Sequence, residues 1–233
     1  MKKDYISIVY DKEKIPKTDY PFKLALHLIN KFNLRKEDKL LEIGCGRGDF
    51  LEAFRHFGVD VYGVDLCDSS VKTLCHLGVK KVDISKDTLP FDDNSIDIIY
   101  HKSLLEHFYS PEHLMKETYR VLKPDGRVII LTPDWISQMK IFYEDFTHCR
   151  PYDTTAVGDL LRISGFSEIQ TGLFYQLPIL WEFPVLKVFS FLLQLLISTP
   201  NARKLTKLTG IKFFRWSVEL MVLGTGIKDG KDA

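Results

Sequence analysis

Four cysteines stand at 45, 67, 75 and 149, and no two of them form a CxxC pair. That spacing argues against a zinc framework or a disulfide scaffold and fits incidental thiols in a reducing compartment. The N-terminal MKKDYISIVYDKEK is charged and has none of the apolar h-region of a secretory signal. No glycine-rich turn runs into GK[ST], which excludes a Walker loop. Repeats and low-complexity tracts are missing, and the closing KDGKDA reads as a frayed tail. Charge of one sign is also missing. The net charge is +1 over 233 residues, so no global field favours nucleic acid. No NPPY-type motif is present and no basic stripe lies outside the insertion at residues 178–212, so a nucleic-acid partner is not expected.

What remains is an ordinary globular balance, 45% hydrophobic and 27% charged, in a length that suits one elaborated domain. Strand and helix signals alternate from about residue 22 to 166. PFKLALHLINKF predicts an amphipathic helix with Phe22, Leu26 and Ile29 on one face. KLLEI, VYGVD, KKVDI, SIDIIY and RVIILT read as strands, with helical spacing between them in DFLEAFRHF, SSVKTLCHL and PEHLMKETYRVL. TTAVGDLLRISG closes as a helix with Gly165 at its C-terminal end. Repeated β-α-β units predict a doubly wound α/β sandwich, Rossmann-like, with a mostly parallel sheet. RWSVELMVLGTG is the candidate for a last, antiparallel strand. The expected layout is an N-terminal helical segment at 1–37, a core at 38–177, an apolar and basic helical insertion at 178–212, and the last strand at 213–226.

LLEIGCGRGD places three alternating glycines directly after a strand and before a helix. Free N–H groups at the helix start and glycines that admit a ligand to bare backbone make an anion- or nucleotide-binding turn. Asp65 ends VYGVD about 20 residues past the turn, where a carboxylate accepts from ribose hydroxyls. Both features are common to several nucleoside binders.

The stretch Glu42-Ile-Gly44-Cys-Gly46-Arg-Gly48 resembles motif I of the class I S-adenosylmethionine-dependent methyltransferases. The likeness continues through VDLC at 64–67, VDIS at 82–85, LPFDDNSIDIIYHKSLLEH at 89–107 and RVLKPDGRVIILTP at 120–133, and is nearest to the UbiE/Coq-like small-molecule group. The resemblance implies S-adenosyl-L-methionine as cofactor and gives roles to individual residues. Gly44 and Gly46 would admit its methionine part, with Glu42 orienting the loop. Asp65 would hold the ribose, Leu66 would lie against the adenine, Asp83 would accept from the adenine amine, and Ile84 would pack on the ring. His101, past the DIIY strand, would touch the methionine end and face the acceptor. Some quinone-precursor enzymes carry further carboxylates before the pair Glu106-His107 and bind a divalent metal; here the matching position is Ser103, so no metal is expected.

Methyl transfer from a sulfonium is an in-line displacement that needs a held acceptor, and a hydroxyl acceptor also needs a base. Two clusters offer one. The first is Glu106-His107, with His107 toward the substrate; a helix-start hydrogen-bond pair is the structural alternative. The second is YEDFTHCRPYD, at the carboxyl end of the sheet where open α/β folds bind ligands. There His148 reads as a general base paired with Asp145, and Arg150 and Tyr143 as acceptor contacts; a rigid loop bonded to its own carbonyls is the alternative.

Residues 178–199 break the α/β pattern. Within 185–198 the polar residues Lys187, Ser190, Gln194 and Ser198 form one stripe on a helix that is otherwise apolar. At about 14 residues the helix is short of the roughly 20 that span a bilayer. Three readings stay open for 178–212: a lid packing its apolar face on the sheet edge, an interfacial membrane helix, or a homodimer contact. The expected activity is methyl transfer to a small-molecule acceptor, at oxygen, on a sugar or lipid-linked precursor. A quinone- or polyketide-type C- or O-methyltransferase and a non-catalytic, membrane-docked cofactor binder are the alternatives. The expected location is cytoplasmic, with peripheral contact at the inner face of a membrane if the insertion is interfacial.

Overall fold

A computed structural model describes residues 17–230; the start of the expected N-terminal segment and the last three residues lie outside them. In chain order the elements are α1 (Tyr20–Phe32), β1 (Lys39–Ile43), α2 (Asp49–His56), β2 (Asp60–Asp65), α3 (Asp68–Thr73), β3 (Lys80–Lys81) and β4 (Ile96–Lys102). Then follow α4 (Glu112–Val121), β5 (Leu122–Pro133), α5 (Trp135–Gln138), α6 (Thr154–Ile163) and β6 (Phe166–Phe174). The C-terminal part holds α7 (Ile179–Glu182), α8 (Lys187–Leu196), α9 (Thr199–Thr209), α10 (Lys212–Val218) and β7 (Met221–Lys228).

The strands form one sheet in the order β3-β2-β1-β4-β5-β7-β6, with β7 antiparallel to both neighbours and the other pairs parallel. This is the expected doubly wound architecture. Central strands read as nearly continuous apolar runs because both faces are covered. Leu41, Ile43, Ile99, Val128 and Ile130 bury on one face with α4 and α6. Leu40, Ile98, Tyr100, Ile129 and Leu131 bury on the other with α1 and α2. β1 and β4 sit side by side at the centre, so the loops leaving their C-terminal ends share one edge of the sheet.

Three expectations are corrected. Helix α1 buries Pro21, Leu24, Ala25 and Leu28, while Phe22 and Leu26 are exposed. Phe22 instead meets the edge of His56, 5.3 Å away. The last strand starts at Met221, not 213, because RWSV completes α10. KKVDI contributes only Lys80 and Lys81 to the sheet.

Candidate active site

The glycine turn leaves β1 with Gly44, Gly46 and Gly48 all at positive φ (74°, 52° and 74°). It is strapped to the next strand: the N–H groups of Gly44 and Cys45 donate to the Val64 carbonyl at 2.8 and 3.2 Å. A Cβ at Gly44 would strike Leu104 at 2.8 Å and one at Gly48 would strike Leu74 at 2.7 Å. A Cβ at Gly46 would meet nothing within 4 Å. Gly46 therefore presents bare backbone to open space, as a ligand-bearing turn requires.

Asp65 does more than the sequence suggests. Its Oδ2 accepts from the Gly46 N–H and its Oδ1 from the Cys67 N–H, both at 2.8 Å. Each carboxylate oxygen has two lone-pair sites, so both bonds leave acceptor capacity for ribose hydroxyls. Leu66 beside it is 59% exposed, an apolar side chain held in the open where an aromatic base would cover it. Asp83 caps its own turn, accepting from the Ser85 hydroxyl at 2.6 Å and pairing with Lys86 at 3.1 Å, and these partners hold its carboxyl below the ordinary range. Ile84 is buried in the core face.

Glu42 faces inward beside Tyr100, its register partner on β4. Burial, with help from Asp65 and Asp49, pushes its carboxyl well above the ordinary range, and its Oε2 has no partner among the described residues. The hydroxyls of Tyr100 and Tyr20 are likewise buried and unpartnered. Tyr20 packs on Phe50 (6.4 Å) and on Trp216 of α10 (4.9 Å). Helix α10, formed by residues expected in the last strand, thus covers this end. Buried polar atoms left open next to an uncluttered glycine turn fit the polar methionine end of S-adenosylmethionine.

Lys102 ends β4 on the same face, its ammonium 5.6 Å from the Phe50 ring centroid. Burial lowers it to about 8 against the pull of Glu106 and Glu42, with Arg215 adding repulsion. Nothing in the sequence motifs pointed to Lys102. Strand alternation was the available signal, since period two places Tyr100 and Lys102 on the side of Glu42. His101, the residue between them, is corrected. It lies inside β4 opposite Ile130, fully buried, with both ring nitrogens unpartnered among the described residues. Burial holds it neutral, at about 4. It is a core residue of the strand, not a loop residue past its end.

The second cluster is built by the loop after β5. Its neck is closed by the bridge between Asp134 and Tyr152, where the Trp135 N–H donates to the Tyr152 carbonyl at 2.8 Å. Across it, the backbone carbonyl of Glu106 accepts from the N–H groups of Cys149 (2.9 Å) and Arg150 (3.2 Å). His148 Nδ1 lies 2.7 Å from the Phe142 carbonyl. A carbonyl only accepts, so Nδ1 carries the hydrogen and Nε2 keeps its lone pair in the neutral ring. Nε2 stands 4.0 Å from Glu106 Oε1 and 3.9 Å from Asp145 Oδ2. Asp145 in turn accepts from the Thr147 hydroxyl at 2.6 Å. Arg150 turns elsewhere, donating to the Tyr109 carbonyl at 2.9 Å, as the rigid-loop alternative has it. Tyr143 is exposed beside Phe142 and Trp135.

One ligand atom each from Glu106, His107 and His148 lies within 4.8 Å of the others, a spacing that suits a divalent ion. His107 is committed to the loop: Nδ1 meets the Thr147 hydroxyl at 2.9 Å, and the backbones of Thr147 and Ser103 are further partners. A carbonyl bonded to one ring nitrogen orients a histidine and leaves the other nitrogen for a proton or a metal ion, as at His148, so the cluster suits proton chemistry and a divalent ion alike.

Glu106 is fully buried, its Oε2 accepting from Thr132 at 2.9 Å, and burial raises it to about 7 from an ordinary 4.5. A raised carboxyl stabilises the fold while protonated, and that contribution is lost as pH rises through 7. Glu106→Gln, which keeps the Thr132 bond, should therefore stabilise the protein at pH 8 by up to about 3 kcal/mol, with the gain vanishing toward pH 4.5. Urea unfolding at the two pH values checks this; equal differences at both would remove Glu106 from the titrating groups.

Residues 41–130 match the family described as a methyltransferase domain. Phosphoethanolamine N-methyltransferase 3 of Arabidopsis thaliana is 31% identical over 157 residues, 60% of this chain and 31% of its own length. Sterol 4-C-methyltransferase strm-1 of Caenorhabditis elegans is 28% identical over 137 residues, 54% of this chain and 41% of its own. The chain thus spans less than half the length of these curated relatives. A solved S-adenosylmethionine-dependent methyltransferase of Archaeoglobus fulgidus shares the fold, with a TM-score of 0.64 at 21% identity over 97% of this chain and all of that one. Over residues 41–130 the sequence matches a methyltransferase domain, and the fold is the Rossmann-like one of the solved class I methyltransferases. S-adenosyl-L-methionine is the cofactor of that class, and the residues at the glycine turn fit it.

Proposed function

We propose that the protein transfers a methyl group to a hydroxyl of a small molecule, a sugar or lipid-linked precursor, with His148 as the base. The observation that carries this reading is the placement of His148 Nε2 between two carboxylates, Glu106 and Asp145, beside the sheet edge that holds the glycine turn. The bound sulfonium supplies an activated methyl group and a neutral leaving group. The chain's own residues do the rest. His148 takes the acceptor's hydroxyl proton at Nε2, and Glu106 and Asp145 stabilise the imidazolium that results. The Phe142 carbonyl fixes the tautomer that leaves Nε2 free to accept. Lys102, within electrostatic reach of both Glu42 and Glu106, links the cofactor end to the base cluster.

A base is what separates a hydroxyl acceptor from one already nucleophilic. The named relatives act on a nitrogen in one case and a carbon in the other, so the preference for oxygen rests on this cluster. Free thiols at all four cysteines support a reducing, cytoplasmic location. The test is calorimetric titration with S-adenosylmethionine and S-adenosylhomocysteine, followed by labelled-methyl transfer to a panel of hydroxyl and amine acceptors. Binding with transfer to hydroxyls is expected. A folded protein that binds neither ligand would overturn the methyltransferase reading, and transfer to amines alone would overturn the oxygen assignment.

A further inference from the structure

Helix α8 is mounted the wrong way round for a helix that meets water. A surface helix normally turns its apolar stripe to the protein and its polar stripe to solvent. Here Ser190 is the buried residue of α8, its hydroxyl 2.9 Å from that of Ser217, and the Gln194 side chain donates to the Ser217 carbonyl at 2.6 Å. These two bonds to α10 fix the rotation of the helix. The wide apolar face points outward: Phe189 is 57% exposed, Leu195 68% and Leu196 82%, with Val185, Phe191 and Leu192 alongside. A lid packing this face on the sheet edge is therefore ruled out for α8, and the covering role falls to α10. An apolar face of this extent calls for an occupant.

Charge says which. Residues 179–218 carry six Lys or Arg against one acid, Glu182, a net +5 in a chain whose total is +1, so the remainder is −4. Arg203 and Arg215 are engaged by Glu219. Lys187, Lys204, Lys207 and Lys212 are exposed; Lys187 lies over the Tyr175 ring and Lys212 over the Trp216 ring, which leaves Lys204 and Lys207, both on α9, as the flank. Leu196, Ile197, Leu205 and Leu208 wall a shallow cleft of about 360 Å³ that Lys204 also lines. A second copy of the chain, docked through the same face, would bring two segments of net +5 together. An anionic lipid surface pairs with the lysines and takes the apolar face into its acyl boundary.

We propose that α8 and its lysine flank dock the protein onto an anionic bilayer, lying in the plane of the interface. No single helix among the described residues is long and apolar enough to cross a membrane, and α8 and α9 turn sharply, by 112° between Pro184–Leu196 and Thr199–Thr209. α9 is anchored to the protein body: the Thr199 hydroxyl donates to the Ser137 carbonyl at 2.7 Å, Ala202 is buried, and Arg203 pairs with Glu144. Ser137 and Glu144 lie in the loop that carries His148. The docking helices are thus braced on the acceptor loop, which points to a hydroxyl-bearing lipid-linked acceptor presented from the bilayer. That last step rests on the proposed methyl transfer; the docking itself does not.

The experiment is flotation of the purified protein with vesicles of phosphatidylcholine and phosphatidylglycerol in equal parts, against pure phosphatidylcholine, with a parallel S-adenosylmethionine titration. The wild type should float with the anionic vesicles and lose that partitioning as salt is raised. Leu195→Asp with Phe189→Asp, and separately Lys204→Glu with Lys207→Glu, should each weaken partitioning at least about tenfold while melting and cofactor binding stay unchanged. A wild type that stays at the bottom of the gradient while still binding the cofactor overturns the docking and leaves the methyl-transfer reading standing. Equal flotation of wild type and variants overturns it as well. A dimer in sedimentation equilibrium that Leu195→Asp dissolves would give the face to a second copy.

Discussion

Asp65→Ala should weaken S-adenosylmethionine binding by about a hundredfold or more, since hydrogen bonds to a charged group are worth about 1.5–3 kcal/mol each and roughly 1.4 kcal/mol is tenfold. The effect has two sources. The ribose loses its acceptor, and the N–H groups of Gly46 and Cys67 lose the carboxylate that now holds them at 2.8 Å. The glycine turn then gives up the shape that presents Gly46 to the ligand. Asp65→Asn should be nearly as damaging. An amide offers one accepting oxygen, and its NH₂ group would face whichever backbone N–H is left over. Calorimetry with both variants decides the matter. An affinity within about threefold of wild type for the alanine variant, less than 1 kcal/mol, would remove Asp65 from the cofactor site and leave it as a loop strap.

The sheet was legible because its strands are buried on both faces, and KLLEI, SIDIIY and RVIILT read as strands without tertiary help. The glycine turn was legible for a related reason: three positive-φ positions in five residues admit few residue types. Facing direction was not legible. Phe22, Leu26 and Ile29 have helical spacing, yet so do Pro21, Leu24, Ala25 and Leu28, and it is the second set that α1 buries. The polar stripe of α8 was read correctly, but periodicity cannot say whether a stripe looks toward water or toward Ser217. RWSV has strand-forming residues and becomes helix because Ser217 and Trp216 are needed as partners for α8 and Tyr20. In the site, His148 and Asp145 were visible as a cluster within a short loop. Glu106 was visible only as one half of a pair with His107. Its approach to His148 spans 42 residues and depends on the Cys149 and Arg150 N–H groups closing onto its carbonyl.

His148→Asn separates the base from the brace. The asparagine amide can donate to the Phe142 carbonyl as Nδ1 now does, keeping the loop in place, but it has no lone pair of useful basicity where Nε2 stands. Turnover of a hydroxyl acceptor should fall by about a hundred- to a thousandfold, within the usual range for loss of a general base. Cofactor affinity and melting temperature should stay at wild-type values, because the ring touches neither the glycine turn nor Asp65. Asp145→Asn should cost far less, about tenfold, since Glu106 remains to stabilise the charged ring. The acceptor's own acidity supplies the sharper discrimination. An acceptor already ionised at the assay pH has no proton to give up, so the His148→Asn defect should shrink as acceptors of lower pKa are used. A defect of the same size across that series would mean that the histidine positions the acceptor without moving its proton. A defect below about twofold, less than 0.5 kcal/mol in the barrier, would return His148 to bracing a loop that it demonstrably braces through Phe142.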